Sequence, residues 1–269
     1  MKKENLILVH SFPTNSIILK GFIDYLKDYL NLYFIDLPGF TKRVPPLLEI
    51  NLSNYSKFVD KKIKELDLNE YIVGGISFGF LVINNAKLNG RCRGILAIQP
   101  FTDVSSLRMT FLSRILYSKI FDTVTSLKLY NKIWDSKIFY KSVKLLSNKS
   151  QKRVKSSIYE IDAKTFFETG KLIFDAKQKN RFHKLPYSLI VNKKDERVRY
   201  DYLVQLFNEN VKDLLIVDTK IEHSPKIITK EYFRENFDEK DIDKIFNFFK
   251  GNTNNEKRKP DFSPLISYQ

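Results

Sequence analysis

Three residues whose side chains work together in acyl-transfer chemistry, Ser77, Asp195 and His223, each follow a short apolar run of the chain. A Ser hydroxyl is a weak nucleophile at its own pKa, so it needs a His within hydrogen-bond reach to accept its proton. An Asp can hold the His ring in the required tautomer and stabilise the imidazolium that forms. Together they predict a catalytic triad that attacks a carbonyl carbon.

Ser77 lies in the pentapeptide Gly75-Ile76-Ser77-Phe78-Gly79, which matches the pattern G-x-S-x-G. A β-branched and aromatic run precedes it and an apolar helical stretch follows, which predicts strand, tight turn and helix in succession. Gly75 and Gly79 are small because this turn brings the strand and helix backbones close together. Such a nucleophile elbow holds the hydroxyl at the amino end of a helix, where N–H groups favour negative charge. A Gly-rich turn without chemistry would carry the same five letters, so the interpretation depends on the acid and the His.

The candidate acid, Asp195, comes shortly after the apolar run Ser188–Val191. Its position predicts a loop past the carboxyl end of a strand, on the same edge of the sheet as Ser77. Glu196 is an adjacent competitor, and Asp103 follows the fourth strand in a similar place. Asp195 is therefore the predicted acid and Asp103 the reserve, unless Asp195 is an ordinary loop residue.

The candidate base, His223, follows the last apolar run, Leu214–Val217. This also places it at the carboxyl edge of the sheet. The chain has only three His; His10 ends the first strand and His183 lies in a segment without a pattern. His223 is the predicted base, and a surface His after a strand is the alternative.

Six apolar runs predict strands and alternate with helical patterns. The predicted strands are Leu6–Val9, Leu32–Ile35, Tyr71–Val73, Gly94–Ile98, Tyr187–Val191 and Leu214–Val217. The predicted helices span about 17–30, 55–66, 78–85, 199–207 and 238–250, with Gly251 placed to cap the last. This alternation predicts an α/β fold with a mostly parallel sheet of about six strands and helices on both faces.

The alternation stops between residues 103 and 180, where several helical patterns rich in Leu, Phe, Tyr and Lys follow one another. We therefore expect a core made of residues 1–102 and 181–251 and an insertion of residues 103–180. The polar tail of residues 252–269 carries two Pro and has no periodicity, which predicts a flexible segment.

The pattern resembles the α/β-hydrolase superfamily, in particular its small bacterial esterases and carbon–carbon hydrolases with a helical cap domain. The resemblance covers nearly the whole chain apart from the tail. It is carried by the segments His10-Ser11-Phe12-Pro13 and Asp36-Leu37-Pro38-Gly39, by the elbow, and by the chain order Ser, Asp, His.

The resemblance implies further roles for residues of these segments. The backbone N–H groups of Phe12 and Phe78 would form the oxyanion hole, His10 would orient its loop, and Asp36 would be a turn acid. Members typically have Gly where this chain has Ser11, which changes the shape of that loop. The resemblance also implies that the superfamily's first two strands are missing and that residues 103–180 form the cap.

Composition bounds the class of protein. The 269 residues and 43% hydrophobic content suffice for one α/β domain with an insertion. A single Cys, Cys92, excludes an internal disulfide and a Cys-based metal cluster. The start of the chain lacks a small-residue cleavage site and reads as a strand, and there is no membrane-length apolar run. These features predict a cytoplasmic protein, and no motif predicts a metal or another cofactor.

Positive charge is concentrated in the predicted cap. Residues 103–180 contain 16 Lys and Arg against 7 Asp and Glu, a net +9 of the chain's +15, together with the only Trp, Trp134. An apolar inner face and a basic outer face would suit a hydrophobic substrate taken from an anionic membrane surface. A solvated Lys-rich surface over a small helical core is the alternative. No motif of a nucleic-acid-binding protein accompanies the charge, so we expect no nucleic-acid partner.

The leading hypothesis is a cofactor-free serine esterase that cleaves an ester or thioester of a moderately hydrophobic acid. Two alternatives keep the triad but change the reaction, to acyl transfer or to carbon–carbon bond hydrolysis. A third, from another class, is a non-catalytic ligand-binding protein with the hydrolase fold, which Ser11 in place of Gly supports.

Overall fold

A computed structural model describes residues 3–137, 139, 141, 160–177, 182–225 and 227–254. Six strands form one sheet with the spatial order β2-β1-β3-β4-β5-β6, and all neighbouring strands are parallel. The strands are β1 (Asn5–Val9), β2 (Asn31–Ile35), β3 (Tyr71–Ile76), β4 (Cys92–Ile98), β5 (Tyr187–Val191) and β6 (Leu214–Asp218). The prediction of a parallel sheet of about six strands is confirmed.

Helices connect the strands. Those in the described ranges are α1 (Lys20–Lys27), α2 (Leu52–Glu65), α3 (Phe78–Asn84), α4 (Phe111–Ser126), α5 (Tyr130–Trp134), α6 (Ala163–Asp175), α7 (Tyr200–Asn210), α8 (Lys230–Asn236) and α9 (Glu239–Asn254), with a 3₁₀ turn at Val104–Ser106. None of them is long and apolar enough to cross a lipid bilayer.

One expectation about the end of the chain is wrong, and one helix there was not predicted. The sequence pattern did not predict α8, and α9 continues through Gly251 to Asn254 instead of ending before it. Gly251 is exposed with open space around it and has no positive φ, so it lies inside the helix at a cost of about 1 kcal/mol relative to Ala. The predicted flexible tail began at residue 252, but residues 252–254 belong to α9. The rest of that tail, residues 255–269, lies outside the described residues.

The sheet separates two apolar cores because successive side chains of a strand point to opposite faces. On one face, Ile7 and Val9 of β1 pack with residues of α2, α3 and α7. On the other face, Leu6 and Leu8 pack with residues of α1, α8 and α9. This burial on both faces explains why the strands read as continuous apolar runs.

The strand order reverses direction between β1 and β3, which lie side by side at the centre of the sheet. In open parallel sheets such a switch point leaves a crevice at the carboxyl ends of the strands. The loop after β1 carries Phe12, and the turn after β3 carries Ser77, so the switch point brings both into one crevice. Gly79 permits this approach, since a Cβ there would lie 2.5 Å from the carbonyl oxygens of Val9 and His10.

Replacement of Gly79 with Ala is expected to destabilise the fold by about 2 to 3 kcal/mol, because backbone must move to admit the methyl group. Gly90→Ala is the matched control, since nothing lies within 4 Å of a Cβ there. Urea unfolding of both variants measures the difference. Equal midpoints for the two variants would show that the contact at Gly79 is not tight.

Hydrogen bonds tie helix α6 of the insertion to the core. The N–H of Asp162 donates to the carbonyl of Gly39 over 2.8 Å, which ties the start of α6 to the turn after β2. Further along, the hydroxyls of Thr169 and Tyr55 are 2.8 Å apart, and both side chains are fully buried. On its other side, α6 packs against α4. We retain the division into core and cap as a proposal, and residues 142–159 of the insertion lie outside the described ranges.

Candidate active site

Ser77 lies at the strained turn between β3 and α3, with φ +47° and ψ −114°. A non-Gly residue with positive φ costs of order 1–3 kcal/mol, which the surrounding structure must offset. Two backbone hydrogen bonds hold it: the Ser77 N–H donates to Ile98 over 3.0 Å, and the Phe101 N–H donates to the Ser77 carbonyl over 3.2 Å. The side chain does not cap α3, so its hydroxyl is available for other partners.

Those partners form a continuous chain of hydrogen bonds. Nε2 of His223 is 3.2 Å from Oγ of Ser77, and Nδ1 of the same ring is 3.2 Å from Oδ2 of Asp195. The His223 side chain is 12% exposed, and Asp195 is 1% exposed. The structure thus brings the three predicted residues together.

The environment of Asp195 fixes its charge. Its Oδ1 accepts the N–H groups of Arg197 at 2.7 Å and Val198 at 2.9 Å. Burial by itself would raise the pKa of this carboxyl, but the hydrogen bond and charge of His223 and the two N–H donors lower it below the usual value. Because an ionised carboxylate only accepts hydrogen bonds, Nδ1 of His223 must carry the proton. Nε2 is then free to accept the proton of Ser77.

The other two candidate acids do not reach His223. Asp103 is buried, and its carboxylate accepts the Ser105 N–H at 2.6 Å and the Tyr202 hydroxyl at 2.7 Å. Glu196 is exposed. Asp195 is the acid that the fold places beside the ring, since β5 is the neighbour of β6, which precedes His223.

The loop that carries His223 must cross the ends of two strands, because β6 and β3 are three strand spacings apart, roughly 14 Å. Two amide side chains hold it on the way. Nε2 of Gln99, just past β4, donates to the carbonyl of Ile221 over 2.7 Å, and Nδ2 of Asn192, just past β5, donates to the same oxygen over 2.9 Å.

The sequence analysis did not identify Gln99 and Asn192 as site residues. The one signal that could have found them is that each is an amide residue directly after a strand at the active edge. Both are buried, and Gln99 has a positive φ of 42°.

The loop after β1 is held by His10, which is completely buried. Its Nε2 accepts the N–H of Leu37 at 2.8 Å, so Nδ1 carries the proton and donates to the Ser11 carbonyl at 2.8 Å. Burial lowers the pKa of His10, which keeps the ring neutral. The hydroxyl of Ser11 lies 2.8 Å from that of Thr14, which also donates to the Ser11 carbonyl. These bonds orient the loop that ends in Phe12.

The backbone N–H groups of Phe12 and Phe78 belong to the two segments that follow β1 and β3 at the switch point of the sheet. Within the residues that the structure describes, neither the Phe12 N–H nor the Phe78 N–H donates to another protein atom. Phe78 is the first residue of α3, so its N–H is one of the groups that a helix leaves without an internal partner. Such donors can stabilise negative charge on a bound oxygen.

An aromatic cluster lies against the Phe12 loop. The ring of Phe12 is 5.1 Å from that of Phe166 in α6 and 6.1 Å from that of Phe40. Trp134 and Phe139 pack on the far side of Phe166, with ring centroids 5.2 and 5.5 Å away. We call Phe12, Phe40, Trp134, Phe139 and Phe166 the aromatic cluster; it gives the site an apolar neighbour on its α6 side.

In the described part of the chain, no group of three or more His, Cys, Asp and Glu side chains is arranged to hold a metal ion. What the arrangement can do is acid–base and nucleophilic chemistry at Ser77.

Solved structures share the fold of this chain. A hydrolase from Oleispira antarctica has a TM-score of 0.70 at 14% identity, with 93% of this chain and 92% of that chain covered. An esterase from Exiguobacterium antarcticum has a TM-score of 0.65 at 12% identity, covering 93% and 92%. The N-acyl homoserine lactonase AidH, complexed with N-hexanoyl homoserine, has a TM-score of 0.64 at 12% identity, covering 96% and 92%.

No protein-family model matches the sequence, and no curated protein sequence matches it either. At 12–14% identity the likeness to solved structures concerns the fold, and the chain has the α/β-hydrolase fold.

Proposed function

We propose that this protein is a serine hydrolase that cleaves a carboxylic ester or thioester through an acyl-enzyme. The observation that carries the proposal is the unbroken series of contacts from Ser77 through His223 to Asp195, with Ser77 on a positive-φ turn. Structural residues rarely combine a strained nucleophile with an oriented base and a buried ionised acid.

The geometry supports the following sequence of steps. Oγ of Ser77 attacks the substrate carbonyl carbon while its proton passes to Nε2 of His223. The N–H groups of Phe12 and Phe78 stabilise the oxyanion of the tetrahedral intermediate. As the intermediate collapses, His223 gives its proton to the leaving alcohol or thiol, which departs and leaves Ser77 acylated. A water molecule then attacks the acyl group, again with His223 as base, and the acid and free Ser77 are released.

The aromatic cluster beside Phe12 supports a moderately hydrophobic acyl group as substrate. The esterase and the lactonase among the similar structures act on the same class of carbonyl bond by name. We also propose that residues 103–180 act as a cap that selects the substrate, because α6 contributes Phe166 to the cluster. A cytoplasmic location belongs to the same proposal and is supported by the single, buried Cys92.

A fluorophosphonate probe tests the proposal directly, because it reacts with an activated Ser. Labelling of the native protein, followed by hydrolysis of a series of p-nitrophenyl esters with a maximum at intermediate chain length, is the expected result. If the protein labels and transfers an acyl group to an added alcohol or amine but does not hydrolyse the esters, the proposed reaction becomes acyl transfer instead of hydrolysis. A folded protein that does not label while a control hydrolase does would leave only the ligand-binding alternative.

Gln99 and Asn192 are expected to act as positioning residues for His223. The double variant Gln99→Met, Asn192→Leu has side chains of similar volume but loses both donors to the Ile221 carbonyl. We expect kcat to fall by about 10²-fold through misplacement of the ring. The value of KM should change little, because neither side chain belongs to the proposed substrate contacts.

The matched control is Gln205→Met, which changes an exposed Gln of α7 in the same way. Each single variant keeps one donor and should lose less kcat than the double variant. A purely structural role would lower the thermal midpoint of the double variant and leave kcat per folded molecule at the native value, which contradicts the prediction.

A further inference from the structure

Helix α4 has apolar residues on both of its sides. Its inner side packs on α6, where Tyr117 and Phe121 lie with their rings 5.9 and 5.6 Å from that of Phe174, and where Val124 is buried. Its outer side is exposed, yet it is also apolar. This explains why the sequence of α4 lacks the usual separation into an apolar and a polar face.

The exposed apolar side chains follow one another along the outer side. We call them the α4 apolar row: Phe111 (74% exposed), Leu112 (77%), Ile115 (37%), Leu116 (58%), Ile120 (44%) and Leu127 (62%). Spacings of three and four residues link the first five on the helix surface, and Leu127 follows at the C-cap of α4. Contiguous exposed patches of this kind mark interaction surfaces, whereas single exposed apolar residues are ordinary.

A cationic pocket adjoins the amino end of the row. It has a volume of about 420 Å³ and is lined by Arg108, Met109, Thr110, Arg114, Arg199, Tyr200 and Asp201. Its lining therefore contains three Arg and one acid. Within the described residues, Arg108, Lys119 and Lys128 have no carboxylate partner, while Asp122, the acid within α4, is paired with Lys171.

We propose that the α4 apolar row and its cationic pocket dock on an anionic phospholipid surface. Phe and Leu side chains of a surface helix insert at the boundary between headgroups and acyl chains, and flanking Lys and Arg bind anionic headgroups. A second copy of the chain is a poorer occupant, because a two-fold contact through this surface would bring two sets of unpaired cations together. An anionic bilayer matches both the apolar row and the charge.

The surface is joined to the loop of the candidate acid. Leu107 and Val198 form an antiparallel bridge, and the Arg108 N–H donates to the Arg197 carbonyl over 2.8 Å. Arg197 and Val198 are the residues whose N–H groups hold Asp195. Docking would therefore place the lipid surface on the side of the molecule where the triad's acid loop lies, within reach of acyl substrates that partition into membranes.

Vesicle sedimentation of the full chain tests the proposal. We expect binding to vesicles of phosphatidylcholine mixed with phosphatidylglycerol, little binding to phosphatidylcholine alone, and weakening by salt. The double variant Leu112→Glu, Leu116→Glu should bind these vesicles with an affinity at least about 10-fold lower than that of the native protein. It loses apolar burial, and its new carboxylates are repelled by the anionic headgroups.

The control is Asn69→Glu with Asn247→Glu, which adds the same two charges at exposed positions away from α4 and should bind like the native protein. Circular dichroism confirms that both variants fold. Ser77→Ala should bind vesicles as the native protein does, so docking and the proposed chemistry are tested separately.

Three results would overturn the proposal. The first is native protein that stays in the supernatant with anionic vesicles, and the second is an α4 variant that binds as well as the control. The third is a dimer, seen by analytical ultracentrifugation, that the α4 variant abolishes while vesicle binding is absent; that result assigns the row to a second copy.

Discussion

Replacement of Ser77 with Ala is expected to abolish labelling by the fluorophosphonate probe and to lower kcat for ester hydrolysis by roughly 10⁶-fold. The reason is that Nε2 of His223, the acceptor positioned for the Ser77 proton, then has no nucleophile to activate. The residual rate would come from substrate binding and the oxyanion donors alone. Active-site titration with the probe, followed by steady-state kinetics on the best p-nitrophenyl ester, measures both effects.

The matched control is Ser53→Ala, an exposed Ser at the start of α2, which should behave like the native protein. Stability should change little in Ser77→Ala, because the backbone bonds of the turn to Ile98 and Phe101 remain. Hydrolysis by Ser77→Ala at a rate near that of the native protein would show that the activity comes from another residue or from a contaminant, and would end the proposal for this site.

The second large effect is expected from Asp195→Asn, with a loss in kcat of about 10⁴-fold. The structure gives a specific reason. Because Oδ1 accepts two backbone N–H groups, the oxygen of an Asn amide would take that place and its NH₂ group would face His223. Nδ1 of the ring would then have to accept, so the proton would sit on Nε2, which could no longer take the proton of Ser77. Steady-state kinetics of the variant measure this loss.

Asp103→Asn is the control for this variant, since Asp103 is also buried and follows a strand but contacts Tyr202 instead of His223. It should keep kcat within about 10-fold of the native value, since its side chain lies outside the series of contacts from Ser77 to Asp195. A larger loss in Asp103→Asn than in Asp195→Asn would exchange the roles of the two acids.

The charge of Asp195 also gives a pH dependence of stability. The folded protein holds the pKa of this carboxyl below that of the unfolded chain, so its contribution is fully present above about pH 4. It is lost as the pH falls through the folded pKa. The stability difference between the native protein and Asp195→Asn should therefore shrink on acidification, as measured by urea unfolding at a series of pH values.

The strands could be predicted from the sequence because a strand buried on both faces reads as a continuous apolar run. Tyr187–Val191 is predicted and observed with the same bounds, and β3 extends the predicted run Tyr71–Val73 to Ile76. Helix α8 could not be predicted because only Phe233 of its seven residues is buried. That ring packs 4.6 Å from Phe22 of α1, a contact between distant parts of the chain.

The candidate site, like the fold, could be predicted from the sequence only in part. The order of Ser77, Asp195 and His223 and their places after strands are written in the sequence, and the fold brings them together. The choice between Asp195 and Asp103 depends on which strand neighbours β6, and that follows only from the sheet order. The role of Gln99 and Asn192 could not be assigned because a sequence does not show toward which carbonyl an amide points.

Two helices of the insertion, α4 and α6, differ in how freely their sequences can change. The helix α6 is constrained on two sides, by the turn at Gly39 and by its packing with α4, and Thr165 leaves no room for a Cβ at Gly39. The outer side of α4 is constrained by nothing in the described core. Mutation and selection can therefore alter the outer side of α4, and with it the surface to which the protein binds, without disturbing the fold or the residues around Ser77.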